Sequence, residues 1–271
     1  MKCKNWPIGV CSWSLRTDVK GVAEAMKKIG LDHVHLGIRA AIGAEGVDVL
    51  AAIQKQDWTI SATMIDFPQE DYSTLDTIKV TGGVAPDDCW ERNRDLFFGA
   101  AEVTKKLGVK YLSMHAGFVD ESDAAYARKF YDRIRTLADA AAEKDLILLL
   151  ETGQESAKDL RHFIEELDHP AIGVNFDPAN MILYDKGNPI EAVKVLAPWI
   201  KHIHVKDATR TRQPGTWGAE VPWGNGEVKP KAFINALEKI GFNGALAIER
   251  EAGDNRLGDA KLAAERLTSL G

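Results

Sequence analysis

A short apolar run followed by an amphipathic stretch recurs about every 30 residues along this chain, eight times over. The apolar runs, read as strands, cover 8–13, 33–38, 59–67, 110–115, 145–151, 171–177, 200–206 and 245–250. Helical patterns fall between and after them, at 19–29, 47–55, 94–107, 123–144, 157–167, 189–196, 231–240 and 256–270. Three helix ends share one punctuation: Lys28-Ile29-Gly30, Lys106-Leu107-Gly108 and Lys239-Ile240-Gly241. Lysine there complements the helix dipole, and glycine just beyond takes the left-handed cap. No linker or low-complexity segment interrupts the series, so the 271 residues read as one domain, 1–271. Eight β-then-α units in that length predict a single (β/α)₈ barrel of the α/β class. An open doubly wound sheet is the runner-up, but it usually has fewer units and a glycine-rich nucleotide turn, which the chain lacks.

Side chains two apart on a strand share a face. Ile147, Leu149 and Glu151 therefore align, as do Gly173, Asn175 and Asp177, His202 and His204, and Ala245, Ala247 and Glu249. Each set carries its polar residue at the C-terminal end, where barrel active sites form. An ionised group after an apolar strand is costly to desolvate unless it is paired or binds a metal. Glu151, Asp177, His204 and Glu249 together offer three carboxylates and one imidazole, a donor set for one divalent ion: Mn²⁺, Mg²⁺ or Co²⁺ ahead of a thiolate-rich zinc site, with Zn²⁺ on His and carboxylate ligands still open. His204 is preferred to His202 because it lies nearer the strand end. Asp177 also reads as a helix cap, since Pro178 follows it. Such an ion, chelated by a carbonyl and a neighbouring hydroxyl, acidifies the adjacent C–H, and a surplus carboxylate can exchange the proton. Trp13 and His115 end strands in the same way and are candidate substrate contacts, with core packing as the plain alternative; Gln154 follows the first ligand and is a third candidate, with solvent exposure as its plain alternative. The 68–93 segment is a long insertion rich in Asp, Thr and Gly, expected at the barrel mouth. The glycines of 222–227 could cradle a phosphate, although a simple turn is the stronger reading.

The motifs Leu150-Glu151-Thr152-Gly153, Asn175-Phe176-Asp177-Pro178-Ala179-Asn180, His202-Ile203-His204-Val205-Lys206-Asp207 and Ile248-Glu249 resemble the xylose isomerase-like barrel superfamily over nearly the whole chain. That group includes ketose 3-epimerases, inosose dehydratases, hydroxypyruvate isomerases and endonuclease IV. The likeness to the ketose 3-epimerases implies that Glu151 and Glu249 are both ligands and acid/base residues, that Asp177 and His204 complete the metal shell, and that Arg210 contacts substrate oxygens. Asn180 stands where those epimerases carry a substrate-contacting histidine, which weakens transfer of their specificity. Endonuclease IV carries a histidine there too, so its multi-metal chemistry does not transfer.

The acidic balance, net charge −6 and pI near 5.7, argues against a nucleic-acid partner. Three cysteines without metal spacing suit a reducing compartment, and neither a signal peptide nor a membrane-length apolar run is evident; the expected location is the cytoplasm. The expected partner is a small sugar or polyol-derived carbonyl compound. Barrels of this group often pair, so a homo-oligomer is open. The expected activity is metal-dependent isomerisation or epimerisation by proton transfer next to a carbonyl, through an enediolate. The alternatives are a dehydratase of the inosose or 3-dehydroshikimate kind and a non-catalytic sugar-binding barrel.

Overall fold

The computed structural model describes residues 1–271 except Val119. Eight parallel strands, β1 (Trp6–Cys11), β2 (His33–Gly37), β3 (Thr59–Met64), β4 (Tyr111–Met114), β5 (Ile147–Glu151), β6 (Ile172–Phe176), β7 (Ile200–Val205) and β8 (Leu246–Ile248), pair in sequence order, and β8 pairs back onto β1. The sheet is therefore a closed barrel. Around it run α1 (Val19–Ile29), α2 (Val47–Gln54), α3 (Leu75–Thr81), α4 (Trp90–Lys106), α5 (Ala124–Ala142), α6 (Ala157–Leu167), α7 (Pro178–Leu183), α8 (Pro189–Leu196), α9 (Pro230–Lys239) and α10 (Arg256–Thr268). Helices start where capping chemistry allows: Asp18 accepts from the Gly21 N–H ahead of α1, and Gly30 ends that helix at φ 90°.

Aliphatic and aromatic side chains fill the layer between sheet and helices. The barrel's interior is different. His35, Ser113, Asn175, His202 and His204 are all buried, and each has hydrogen-bond partners that offset its desolvation.

Several expectations shift at the strand ends. Trp13 does not end a strand: β1 stops at Cys11, and Trp13 lies in a one-turn 3₁₀ helix, Ser12–Leu15. β3 stops at Met64 and β8 at Ile248, although the Glu249 N–H still donates to the Val205 carbonyl at 3.1 Å. The 68–93 insertion is no open loop. It contains α3, started by a reciprocal Thr74–Thr77 capping box, and the first turn of α4. Glu70 accepts from the backbone N–H of Phe67 and Gly83, while Arg133 donates to the carbonyls of Val84 and Ala85. After β7 the chain forms a small antiparallel hairpin, Asp207–Thr209 with Ala219–Val221.

Candidate active site

β5, β6, β7 and β8 end side by side, and this neighbourhood brings Glu151, Asp177, His204 and Glu249 together. One donor atom from each lies within 4.8 Å of all the others, and all four residues are buried. His204 Nδ1 stands 3.3 Å from Glu151 Oε1, 3.4 Å from Asp177 Oδ2 and 3.4 Å from Glu249 Oε2. Buried polar atoms normally find partners, yet His204 Nδ1 and Asp177 Oδ2 have no hydrogen bond. Both point into the same small space. Asp177 spends its other oxygen, Oδ1, on the N–H groups of Ala179 and Asn180, capping α7; the capping and ligand readings thus use different atoms of one carboxylate.

The ring of His204 is set from below. Its Nε2 lies 2.9 Å from His35 Nδ1, and His35 Nε2 lies 3.0 Å from Ser113 Oγ. Burial and the neighbouring imidazoles hold His35 well below the ordinary histidine range, so it is neutral. Asn175 Nδ2 lies 3.0 Å from the same His204 Nε2, so His35 and this amide brace the ring from one side and Nδ1 is the nitrogen turned toward the carboxylates. Buried His202 belongs to the layer beneath, bonded to Asn175 Oδ1 at 2.9 Å and Ser61 Oγ at 3.0 Å. The donor set, the unpartnered atoms and the braced imidazole together fit one divalent cation.

The two glutamates differ in surroundings. Trp13 Nε1 donates to Glu249 Oε1 at 2.7 Å and Lys206 Nζ to its Oε2 at 2.8 Å. Burial raises the Glu249 pKa, but His204 and Lys206 outweigh it and leave the carboxyl well below its usual range. Glu151 receives Asn180 Nδ2 on Oε1 at 3.0 Å and Asn175 Nδ2 on Oε2 at 3.2 Å. His115 Nε2 is 3.5 Å from Glu151 Oε1. Burial disfavours the imidazolium of His115, yet Glu151 and Glu70 prevail and raise its pKa.

Above the cluster opens a cavity of about 1190 Å³. Glu249, Lys206, His115, Asn180 and Trp13 line it, with Tyr72, Tyr184 and Trp217 as aromatic walls; Glu151, Asp177 and His204 lie behind this lining. Two of the expected substrate contacts fall elsewhere. Arg210 pairs with Asp185 and donates to the Gly187 carbonyl at 3.1 Å, outside the lining, because α7 and its exit loop supply those acceptors. Gln154 is buried outside the lining as well. The 222–227 loop offers no phosphate cradle either: the N–H groups of Gly224, Gly226 and Val228 all donate to the Asp207 carboxylate at 2.9–3.0 Å. Lys206, not singled out in the sequence, is buried at the cluster's edge and bonded to both Glu249 and Glu251. Its spacing from His202 and His204 puts it on the same strand face, the signal that would have found it.

Comparison with known proteins agrees with this fold. A solved xylose isomerase domain protein from Planctomyces limnophilus is 31% identical, with TM-score 0.89, over 98% of this chain and 97% of that one. The 3-keto-D-glucoside 4-epimerase of Escherichia coli has the same fold at 16% identity and TM-score 0.75, over 98% and 100%. The 3-dehydroshikimate dehydratase of Bacillus anthracis is 28% identical over 85 residues, 30% of this chain and 30% of that protein, so the match spans under a third of the curated relative's length. Among the described residues no helix is long and apolar enough to cross a membrane. The family model described as xylose isomerase-like TIM barrel matches residues 23–270, and the chain belongs to that family.

Proposed function

We propose that this barrel is a divalent-metal-dependent enzyme that moves a proton on a carbon next to a sugar carbonyl, as an isomerase or epimerase. The observation that carries the reading is the pair of unpartnered buried atoms, His204 Nδ1 and Asp177 Oδ2, aimed with Glu151 and Glu249 into one space at the floor of a large cavity. A cation held by these four residues would polarise the substrate carbonyl and stabilise the enediolate charge, an effect worth several kcal/mol.

The protein's own groups divide the remaining work. Glu249 lines the cavity, and of the two glutamates it is the one placed to take the proton from carbon. Glu151 meets the cavity through His115, whose imidazole lines the wall and is placed to carry a proton on that side. Asn180 fixes Glu151 and also lines the cavity, where its amide can meet a substrate hydroxyl. Trp13 holds Glu249 and presents an indole face against sugar carbons. The names of the two relatives, a keto-glucoside epimerase and a dehydroshikimate dehydratase, support a substrate with a ring ketone. The dehydratase match also supports a second reading, in which the same carbanion expels a β-hydroxyl.

Incubating Mn²⁺-loaded protein with a panel of keto-sugars in deuterated water tests both. Solvent deuterium at carbon without loss of water supports the isomerase or epimerase; an enone product supports the lyase. Glu249→Gln should lower the exchange rate by about 10²–10⁴. Calorimetry that finds sugar binding unaffected by metal, together with no exchange in any substrate, would leave a sugar-binding module instead.

A further inference from the structure

A cation already sits at the candidate centre: the ammonium of Lys206, just past the end of β7. Its side chain is 3% exposed. Nζ donates to Glu251 Oε2 at 2.6 Å, to Glu249 Oε2 at 2.8 Å and to Asn180 Oδ1 at 3.4 Å, and Asp177 Oδ2 lies 3.8 Å away. An ammonium has three N–H groups, and these three acceptors engage them all. Lys206 therefore lines the cavity without a donor left for a substrate oxygen. Two of its neighbours also face the proposed metal. Asp177 Oδ2 and Glu249 Oε2 each lie 3.4 Å from His204 Nδ1, so the same two oxygens border both the ammonium and the space among the four proposed ligands. A site for a pair of cations requires such sharing.

Charge argues the same way. Glu151, Asp177, Glu249 and Glu251 gather here, and one divalent ion offsets only half of their charge. Buried carboxylates without a counter-charge are costly, and Lys206 brings a further positive unit where Glu249 and Glu251 meet. We propose that Lys206 Nζ fills a second cation position, bounded by Asp177, Asn180, Glu249 and Glu251, and so restricts the centre to one divalent ion. This rests on the metal site of the proposed function. Truncating Lys206 then turns the position into a second metal site, with oxygen donors alone, which suits Mn²⁺ or Mg²⁺. The consequence for the reaction is specific. An ammonium whose N–H groups are all engaged cannot bind and activate a water as a second metal does. Lys206 is therefore a fixed charge that positions Glu249, and the centre is built for proton transfer rather than for hydrolysis by paired metals.

Metal counting reads this without turnover. Chelator-stripped wild type, dialysed against excess Mn²⁺, should retain one ion per chain by elemental analysis, and Lys206→Ala should retain two. Adding Glu251→Gln to Lys206→Ala should return the count to one, because the second position loses a carboxylate that the first does not use. Electron paramagnetic resonance gives an independent readout. Mn²⁺ ions that share carboxylate oxygens couple their spins, so the resolved hyperfine pattern of the wild type should broaden in Lys206→Ala. Two ions in the wild type, one in folded Lys206→Ala at saturating Mn²⁺, or two in the double variant would each overturn the proposal. If Lys206→Ala does not fold without metal, refolding from urea in Mn²⁺ replaces the dialysis. Recovery with two ions per chain then supports the position, and no recovery at any Mn²⁺ concentration overturns it. The counts also separate the two proposals. One ion in both proteins sinks the second position and leaves the metal-dependent reaction. None in the wild type and one in Lys206→Ala sinks that reaction and leaves the ammonium's position standing.

Discussion

Glu155 follows β5 by four residues and is buried, 7% exposed, with burial pushing its carboxyl up to about 8 against an ordinary 4.5; Lys186 offsets only part of that. Its folded pKa lies above its unfolded one, so the native state holds the proton more tightly. Stability is therefore full below about pH 4.5, declines as pH rises toward 8, and levels off above it. At roughly 1.4 kcal/mol per pH unit the span costs the fold a few kcal/mol. Glu155→Gln keeps the shape and removes the charge. The variant should match the wild type near pH 4.5 and exceed it by on the order of 3 kcal/mol at pH 8.5. Urea denaturation at both pH values checks this; a constant difference across the range would contradict it. At the active site the residue-level reading is uneven for a physical reason. Strand alternation marks Glu151, Asp177, His204 and Glu249, because a charge at the end of an apolar strand conflicts with its neighbours in sequence. Asn175 and His35, which orient those groups, are single polar residues inside strands, and only their partners 27–169 residues away explain them.

At the scale of elements, the hairpin after β7 is organised around one side chain. Asp207 accepts from the N–H groups of Ala208, Gly224, Gly226 and Val228, so it stands in for a strand partner that this loop lacks. Asp207→Ala leaves buried donors without acceptors, and charge-assisted bonds are worth about 1.5–3 kcal/mol each. The substitution should destabilise the protein by at least roughly 3 kcal/mol, with Asp207→Asn intermediate because one acceptor oxygen remains. Denaturant midpoints measure both, and loss of protection from hydrogen exchange should concentrate in 222–228. The sequence shows glycines there but not what they face, which is why a phosphate cradle and a plain turn look alike until Asp207 is placed. The helices that match expectation, such as α6 and α8, are bounded by their own caps, Ser156 and Asn188. Those that differ, α3, α7 and the start of α4, sit in the C-terminal loops, where short segments lack two full turns of periodicity. The eightfold order of strands was legible because each unit repeats the same apolar-then-amphipathic pattern; the cavity was not, since it is shaped by those loops.

At the scale of the whole molecule, the four proposed ligands stand at the ends of four consecutive strands, β5 to β8, so an ion held among them would tie together half of the barrel's circumference. Such a site forms only in the folded chain, and binding energy then adds to stability: a ligand at 100 times its Kd contributes about 2.7 kcal/mol. A domain somewhat smaller than this shifts its melting temperature by about 2–4 °C per kcal/mol. Mn²⁺ at that excess should therefore raise the melting temperature of chelator-stripped protein by roughly 5–10 °C. His204→Ala removes the only nitrogen donor of the set and should abolish most of the shift while leaving the interior layer below partly intact through His35 and Ser113. The effect has a direction in pH as well. The ligands bind ions only when deprotonated, so acid competes with the cation and the shift should shrink as pH falls from 7 toward 5. A melting temperature indifferent to Mn²⁺, Mg²⁺, Co²⁺ and Zn²⁺ at neutral pH would mean that the four groups serve as a structural ion-pair network.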